Sequence, residues 1–424
     1  MKPTIRYKTR LVLALAGAWC FAALAHAAAP GADVEGLLAI AHEGNPEYAG
    51  MRFEAEAAAQ RIEPAGALPD PKLRTELMDI TKGGQQNATL SPSRVGSTRY
   101  TLMQDIPWYG KRDLKREIAE LEAESARGRA LGTWADVAAR IKTTYAQQYF
   151  LAQNERLTRE ILDLISRLEK IAQARYAGGL AAQQDVIRAQ VEQTSLRNEL
   201  IALQTERHHM HTRMNLLLAR PANAPLSEPE MLRPIPLPAK LDYAALEERV
   251  RTRNPLLAAD DSRLRSAEKN RELAYKNRYP DFTVGVVPNQ VQNSVKQWDL
   301  MVEMNIPLQQ GTRRAQERES EALLAVARSR REATANQVLS DLSENLAGLD
   351  AARRSEALGR DSQLPQAELT FKSALAGYEN GKVDFATLLD AQRQIRQARQ
   401  NQIRAQAEGQ ARLAEIERIL GEEL

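Results

Sequence analysis

Cysteine is almost absent from this chain of 424 residues: the single one is Cys20. It falls in a segment read below as removed, so disulfides, thiolate metal sites and a cysteine nucleophile are excluded together. Aromatic residues are also scarce, at 5% against 43% apolar and 27% charged. That balance belongs to long helices rather than to two or three compact domains. Past the first thirty residues no stretch reaches the ~18 apolar residues of a transmembrane helix. A collagen, a disulfide-stapled mini-protein and a polytopic helical membrane protein are all ruled out. The formal charge is only +3, and its location removes any nucleic-acid reading.

That location is the first ten residues. Lys2, Arg6, Lys8 and Arg10 precede an apolar run from Leu11 to Leu24, and Ala25-His26-Ala27 supplies the small-x-small pattern of a signal-peptidase site. Residues 1–27 are read as a secretory signal peptide cleaved after Ala27. Removing them leaves 54 basic against 55 acidic residues, a nearly neutral mature chain. Cys20 could mark lipidation, but Trp19 stands where a lipoprotein signal needs a small residue.

Proline is missing from two long stretches, between Pro107 and Pro221 and, Pro365 apart, from Pro307 onward. A helix interior tolerates proline poorly. Both stretches, rich in helix formers with apolar residues three and four apart, are predicted to be long helical hairpins. Arms of about 65 residues would each be roughly 100 Å long. Pro365 is expected to kink the second hairpin.

The two stretches belong to a duplication. Asn45-Pro46 matches Asn254-Pro255, and Pro69-Asp70 matches Pro280-Asp281. Ile106-Pro107 followed by Gly110 and Arg112 matches Ile306-Pro307 followed by Gly311 and Arg313. Tyr176, Gly179, Ala189 and Gln190 recur as Tyr378, Gly381, Ala391 and Gln392, all at one offset of 202. The chain is thus divided into a first repeat, 28–220, a proline-rich connector, 221–240, and a second repeat, 241–424.

Each repeat carries two segments of another kind. Trp298, Leu300, Val302, Met304 and Ile306 alternate with polar neighbours, as do Phe282, Val284 and Val286. This is the period of a strand with one apolar face. Strands at about 72–81 and 99–107 are expected in the first repeat, with polar loops at 82–98 and 288–297. Aromatics near the strand ends, Tyr100, Trp108, Tyr279, Phe282 and Trp298, fit a membrane β-barrel. Four strands cannot close one, and lipid does not tolerate open edges, so the barrel reading requires oligomerisation; three copies would give twelve strands. The alternative is a soluble hairpin packed on helices.

Together the signal peptide, the duplicated helix–strand–strand–helix unit, Ile106-Pro107-Trp108-Tyr109-Gly110-Lys111-Arg112 and the repeated Tyr-x-x-Gly-x(9)-Ala-Gln motif resemble the TolC-type outer membrane efflux family. The resemblance covers essentially the whole mature chain. It implies a mainly α fold with a four-stranded β contribution, in which helical hairpins form a periplasmic α-barrel tunnel below a trimeric twelve-stranded β-barrel in outer membrane lipid. It implies as partners two further copies, a periplasmic membrane-fusion adaptor and an inner-membrane resistance-nodulation-division pump. Gly110-Lys111-Arg112 and Leu364-Pro365-Gln366-Ala367-Glu368 look most like the heavy-metal cation branch. Other branches carry drugs or exported proteins. A rival of another class is a periplasmic coiled-coil adaptor without a barrel.

By this resemblance the turns at Gly178-Gly179-Leu180 and Gly381-Lys382 are the tips on which the adaptor docks. Asp185, Tyr378 and Asp390 match positions of the network that closes the tunnel, or of the acidic constriction inside it. Thr387 stands where a second acidic position would be, and Val383 where some members have a gating arginine; Arg188 or Lys382 could substitute. His208 and His211, three apart on a helix, could share one metal ion whereas adjacent His208 and His209 could not. A solvated helix face is the plainer account of these charges and histidines. No phosphate loop and no Ser/His/Asp arrangement stands out, so neither a catalytic role nor a cofactor is expected.

Overall fold

The computed structural model describes residues 29–424; the signal peptide, its cleavage site and Cys20 lie outside them. Three helices open the first repeat, α1 (Val34–Gly44), α2 (Pro46–Gln60) and α3 (Ile62–Gly66), followed by strands β1 (Lys72–Met78) and β2 (Ser97–Ile106). Helices α4 (Lys111–Ala177) and α5 (Gln183–Leu217) form the first hairpin. The connector is extended up to a single 3₁₀ turn at Pro238–Lys240. The second repeat has α6 (Tyr243–Arg253), α7 (Pro255–Lys276), β3 (Phe282–Val291), β4 (Ser294–Met304), α8 (Gln310–Leu358), α9 (Leu364–Glu379) and α10 (Phe385–Leu420).

The hairpin arms are unequal, which corrects the sequence expectation. Helix α4 has 67 residues, about 100 Å, but α5 has only 35, about 50 Å. With the turn at 178–182, the chain stops being helical at Leu217, three residues before a proline-opened connector. Shorter helices pack along the rest of α4: α7 lies between α4 and α8, and α2 lies on α4. The α4–α7 crossing is close because Gly128 carries no side chain; a Cβ there would approach Ala259 Cβ and the Pro255 carbonyl to 2.9 Å.

The repeated asparagines explain how the pieces join. Asn45 caps α2 by accepting from Tyr48 N at 3.0 Å and donates from Nδ2 to the Leu217 carbonyl at 2.8 Å. Asn254 does the same for α7, accepting from Leu257 N at 2.8 Å and donating to Ile419 O at 2.6 Å. Each side chain therefore satisfies one orphan donor at a helix start and one orphan acceptor at the end of the returning hairpin arm. Pro46 and Pro255 follow at the first helical position, where the missing N–H is not needed.

The four strands make one antiparallel sheet in the order β1-β2-β3-β4. The stretch 288–297, expected as a loop, is mostly strand: β3 runs to Val291, β4 starts at Ser294, and a two-residue turn with Gln292 at φ 57° joins them. Pro288 is accommodated because the β2–β3 ladder is interrupted opposite Val287 and Pro288.

At the sheet-to-helix junction Trp108 stacks on Tyr279 with ring centroids 5.1 Å apart. Lys111, buried, donates to Asp281 Oδ1 at 2.9 Å and to the Tyr279 carbonyl at 3.0 Å. Arg112 reaches back to the Gly66 carbonyl and Arg313 to that of Asn277, so the duplicated arginines do one job. The matched glycines do not. Gly110 is left-handed at φ 77° and precedes α4, whereas Gly311 lies inside α8.

Beyond α8 the second hairpin passes through a π-helical turn, Gly359–Gln363, in which Leu364 N bonds to the Gly359 carbonyl. Pro365 cannot donate to residue 361, and the wide turn just ahead of it absorbs the defect. The expected kink thus lies immediately before the proline.

The connector is strapped across the bundle. Tyr145 donates to the carbonyls of Ala32 and Met231 at 2.8 and 2.9 Å. Glu417 on α10, buried, takes Lys142 from α4 at 2.8 Å and Arg233 from the connector at 2.8 Å. Burial alone would raise the Glu417 carboxyl, but hydrogen bonds from Arg233 and Lys142, with their charges, outweigh it and hold it below the usual range.

Candidate functional site

The two hairpin turns come together at one end of the molecule over a shared core. Leu157, Ile161, Ile165 and Leu168 of α4 pack there with Leu196 of α5, Tyr378 of α9 and Phe385 and Leu388 of α10. Both turns close the same way. Gly179 N bonds to Tyr176 O and Leu180 N to Arg175 O; Gly381 N bonds to Tyr378 O and Lys382 N to Gly377 O. This pairing needs a left-handed residue after the helix, and Gly179 and Gly381 have φ of 73° and 69°. Leu180 and Lys382 stand exposed beyond them. The duplicated glycines predicted at the turns therefore sit at equivalent backbone positions.

Of the residues matched to a closing network, Asp185 and Tyr378 meet. Asp185 lies in the first turn of α5, where the helix dipole favours an acid, and its Oδ2 is 3.4 Å from the Tyr378 hydroxyl. Burial, then the Asp185 charge, raises the tyrosine's pKa, so it stays a donor. Asp390 is not part of this contact. It is exposed on α10 and lies 3.4 Å from Arg393, which makes a shorter 2.6 Å pair with buried Glu192 of α5. The groove between α5 and α10, lined by Ile187, Arg188, Val191, Leu389 and Arg393 among others, has a volume of about 410 Å³.

Three tip residues were not singled out from the sequence. Arg175, in the last turn of α4, donates to the Glu379 carbonyl at 2.6 Å and to Leu180 O at 3.3 Å, with its guanidinium 5.1 Å from the Tyr378 ring centre. A basic residue in the last turn of a predicted helix was the available signal. Asp384 caps α10, accepting from Thr387 N at 2.9 Å and Thr387 Oγ1 at 2.5 Å. Those two bonds hold its carboxyl below the usual range, so an acid does stand at this tip, three residues before Thr387. Glu169 receives Gln190 Nε2 at 2.9 Å and Gln193 Nε2 at 2.5 Å, clasping α5 onto α4. Val383 packs into its own turn against Gly377, where a Cβ would come within 2.6 Å of Val383 Cγ2.

At the opposite end of α4 the sheet has two unlike faces. The registers Leu73↔Leu102, Leu102↔Val286, Val286↔Leu300 and Val284↔Val302 set apolar side chains in rows on one face. Trp298, Leu300 and Val302 there are 69, 77 and 64% exposed. The other face carries polar contacts, Lys72 to Asp105 at 2.7 Å, Arg99 to Asn289 at 3.2 Å and Asn289 to Asp299 at 2.6 Å. Edge strands β1 and β4 have one paired side each.

His208 is exposed on α5 and His211 half-buried. Burial, then the Arg207 charge, lowers the His211 pKa. Among the described residues no group of three or more histidine, cysteine or acidic side chains is assembled to hold a metal ion, and no helix is long and apolar enough to cross a membrane.

A duplicated unit of two hairpins meeting at a tip, joined to an open sheet with one apolar and one polar face, defines a channel-type protomer. The outer membrane efflux protein family model matches residues 37–220 and 246–422, and the chain belongs to that family. It is similar to the cobalt-zinc-cadmium resistance protein CzcC of Cupriavidus metallidurans, 25% identical over 388 residues and 88% of each chain. A membrane protein from Pseudomonas aeruginosa superposes with TM-score 0.79, at 19% identity over 93% of this chain and 91% of that one. A structure of CusC gives 0.78 at 16% over 92% of each, and VceC from Vibrio cholerae gives 0.78 at 17% over 92% and 96%. These structural likenesses show the shared fold.

Proposed function

We propose that the chain is the outer membrane duct of a tripartite efflux system for heavy-metal cations, working as a homotrimer with a periplasmic adaptor and an inner-membrane pump. The observation that carries the cargo is the kinship with CzcC along 88% of the chain. Support for the trimer comes from the sheet, whose two open edges lipid would not tolerate. Three copies, β4 of one beside β1 of the next, close twelve strands with Trp298, Leu300 and Val302 toward lipid and Asp105, Asp299 and Glu303 toward the lumen. The mixed polar inner face favours a water-filled passage, and the two-faced sheet disfavours a barrel-less adaptor.

In this reading the helical hairpins hang into the periplasm and their tips form the inner mouth. Gly178, Gly179, Leu180, Gly381 and Lys382 present the docking surface for the adaptor. Asp185 and Tyr378 hold the two hairpins of a protomer together, and three copies of exposed Asp390 place negative charge at the mouth, favouring cations. His208 with His211 offers at most a passing contact for a metal in transit, since a third ligand is lacking around them. Selection of the ion belongs to the pump.

Deleting the gene should sensitise the cells to cobalt, zinc or cadmium, with restoration by the wild-type copy. Sensitisation to dyes and antibiotics alone would move the assignment to drug efflux. In planar bilayers, Asp185→Asn with Tyr378→Phe should raise single-channel conductance above that of the wild type.

A further inference from the structure

We infer that Arg175 is the cation of the tip lock in this chain, carried on the first hairpin and closing onto the second. This rests on the channel reading above. Its guanidinium joins the C-terminal ends of two helices: Nη2 donates to Leu180 O in the turn after α4, and Nη1 donates to Glu379 O at the end of α9. Both helix ends present orphan carbonyls and the negative ends of their dipoles. A planar fork with donors on separate nitrogens serves both at once, which a lysine cannot do. The same group lies 5.1 Å from the centre of the Tyr378 ring and so steadies the tyrosine whose hydroxyl faces Asp185.

The duplication shows that this brace runs one way. At the offset of 202 the counterpart of Arg175 is Gly377, which has no side chain to return the contact and no room for one, because Val383 fills the space. The arginine that some relatives carry at position 383 is therefore replaced from the other hairpin. The side chains of Arg188 and Lys382 make no hydrogen bond or ion pair among the described residues, whereas Arg175 touches both turns. Drawing the two hairpins of a protomer apart must break both carbonyl bonds and lift the guanidinium off Tyr378.

The test uses full-length protein reconstituted as trimers in planar lipid bilayers. Arg175→Ala should raise the occupancy of large-conductance levels roughly 10- to 100-fold, as expected for two charge-assisted bonds lost. Arg175→Lys should restore part of the closure, and Arg175→Gln, which keeps the stem and an amide donor, should open the tip while assembling normally. Arg167→Ala, an exposed charge on the same helix, should match the wild type, and Arg188→Ala should have less effect than Arg175→Ala. Thermal unfolding of the trimers should stay close to wild type, because a defect that merely loosened the fold would lower it and would not be rescued by lysine. Wild-type conductance in both Arg175→Ala and Arg175→Gln, with Asp185→Asn raised, overturns the role of Arg175 and leaves the channel reading standing. If Arg175→Ala fails to assemble, the glutamine variant alone decides by the same criterion. Absence of pores in every protein, wild type included, overturns the channel reading and this inference together.

Discussion

Gln392 offers a direct way to alter the balance of the tip. It is fully buried, and neither its Oε1 nor its Nε2 has a hydrogen-bond partner among the described residues. Its counterpart Gln190 is exposed and bonded to Glu169 at 2.9 Å, but at the same offset of 202 position 169 becomes Phe371, which packs on the tip core. The second copy thus kept the amide and lost its acceptor. An amide buried without a partner costs about 1–3 kcal/mol in proteins. Methionine is close to glutamine in shape, so Gln392→Met should remove that cost without opening a cavity. A gain of about 1–3 kcal/mol in the closed tip corresponds to a fall of roughly 5- to 150-fold in the fraction of open tips. Two measurements read it: slower amide hydrogen exchange in α9 and the first turns of α10, and fewer large-conductance events in bilayers. Faster exchange and more frequent opening in the methionine variant would show that the amide is satisfied in the assembled protein and would refute the argument.

Three other substitutions examine the packing that carries the tip and the sheet. Asn254→Ala loses the cap on α7 and the bond to Ile419 O, an expected cost of about 2–4 kcal/mol; an unchanged melting temperature by circular dichroism would contradict it. Glu417→Gln leaves Arg233 short of its partner and Lys142 with Glu423 alone, costing about 3 kcal/mol at neutral pH. Because the folded-state pKa of Glu417 lies below its unfolded value, the wild-type advantage is present above pH ~4.3 and fades as pH falls through the folded value. Melting curves at pH 7 and pH 3 should therefore converge for the two proteins, and a constant gap would count against the ion pair. Leu300→Arg should cost about 2–4 kcal/mol of folding stability in lipid, while Met301→Arg on the opposite face should cost much less; equal losses would reverse the assignment of the faces.

The architecture was readable where periodicity or backbone need leaves a mark. Alternation at 298–306 announced β4, and glycines at 179 and 381 announced turns that require a left-handed residue. Arm length was not readable, since lack of proline permits a helix but does not say where it ends; α5 stops at Leu217 because Asn45 and the connector take over its end. The strand segment at 288–297 was hidden by Pro288 and by polar residues that alternate without an apolar partner row. At the tip, Asp185 and Tyr378 were found through the repeated motif. Arg175 was not, because its partners are main-chain carbonyls of the other hairpin, which leave no signature in side-chain identity.

The duplication also separates what the backbone demands from what the assembly uses. Positions that terminate or join helices have stayed alike: Gly179 and Gly381 share a left-handed turn, Asn45 and Asn254 share a double bond across helix ends, and Arg112 and Arg313 both reach back to a carbonyl. Positions where one hairpin meets the other have diverged. At the offset of 202, Asp185 faces Tyr378 while its counterpart Thr387 serves the cap at Asp384, and Tyr378 is buried while Tyr176 is exposed. In the trimer proposed above, six hairpins would ring the mouth and meet along two kinds of seam, one within each protomer and one between protomers. The lock described here belongs to the first kind, so opening at the two seams has unequal costs. A mouth built this way widens with threefold rather than sixfold symmetry, and an adaptor that grips one kind of seam can open the duct without dismantling the other.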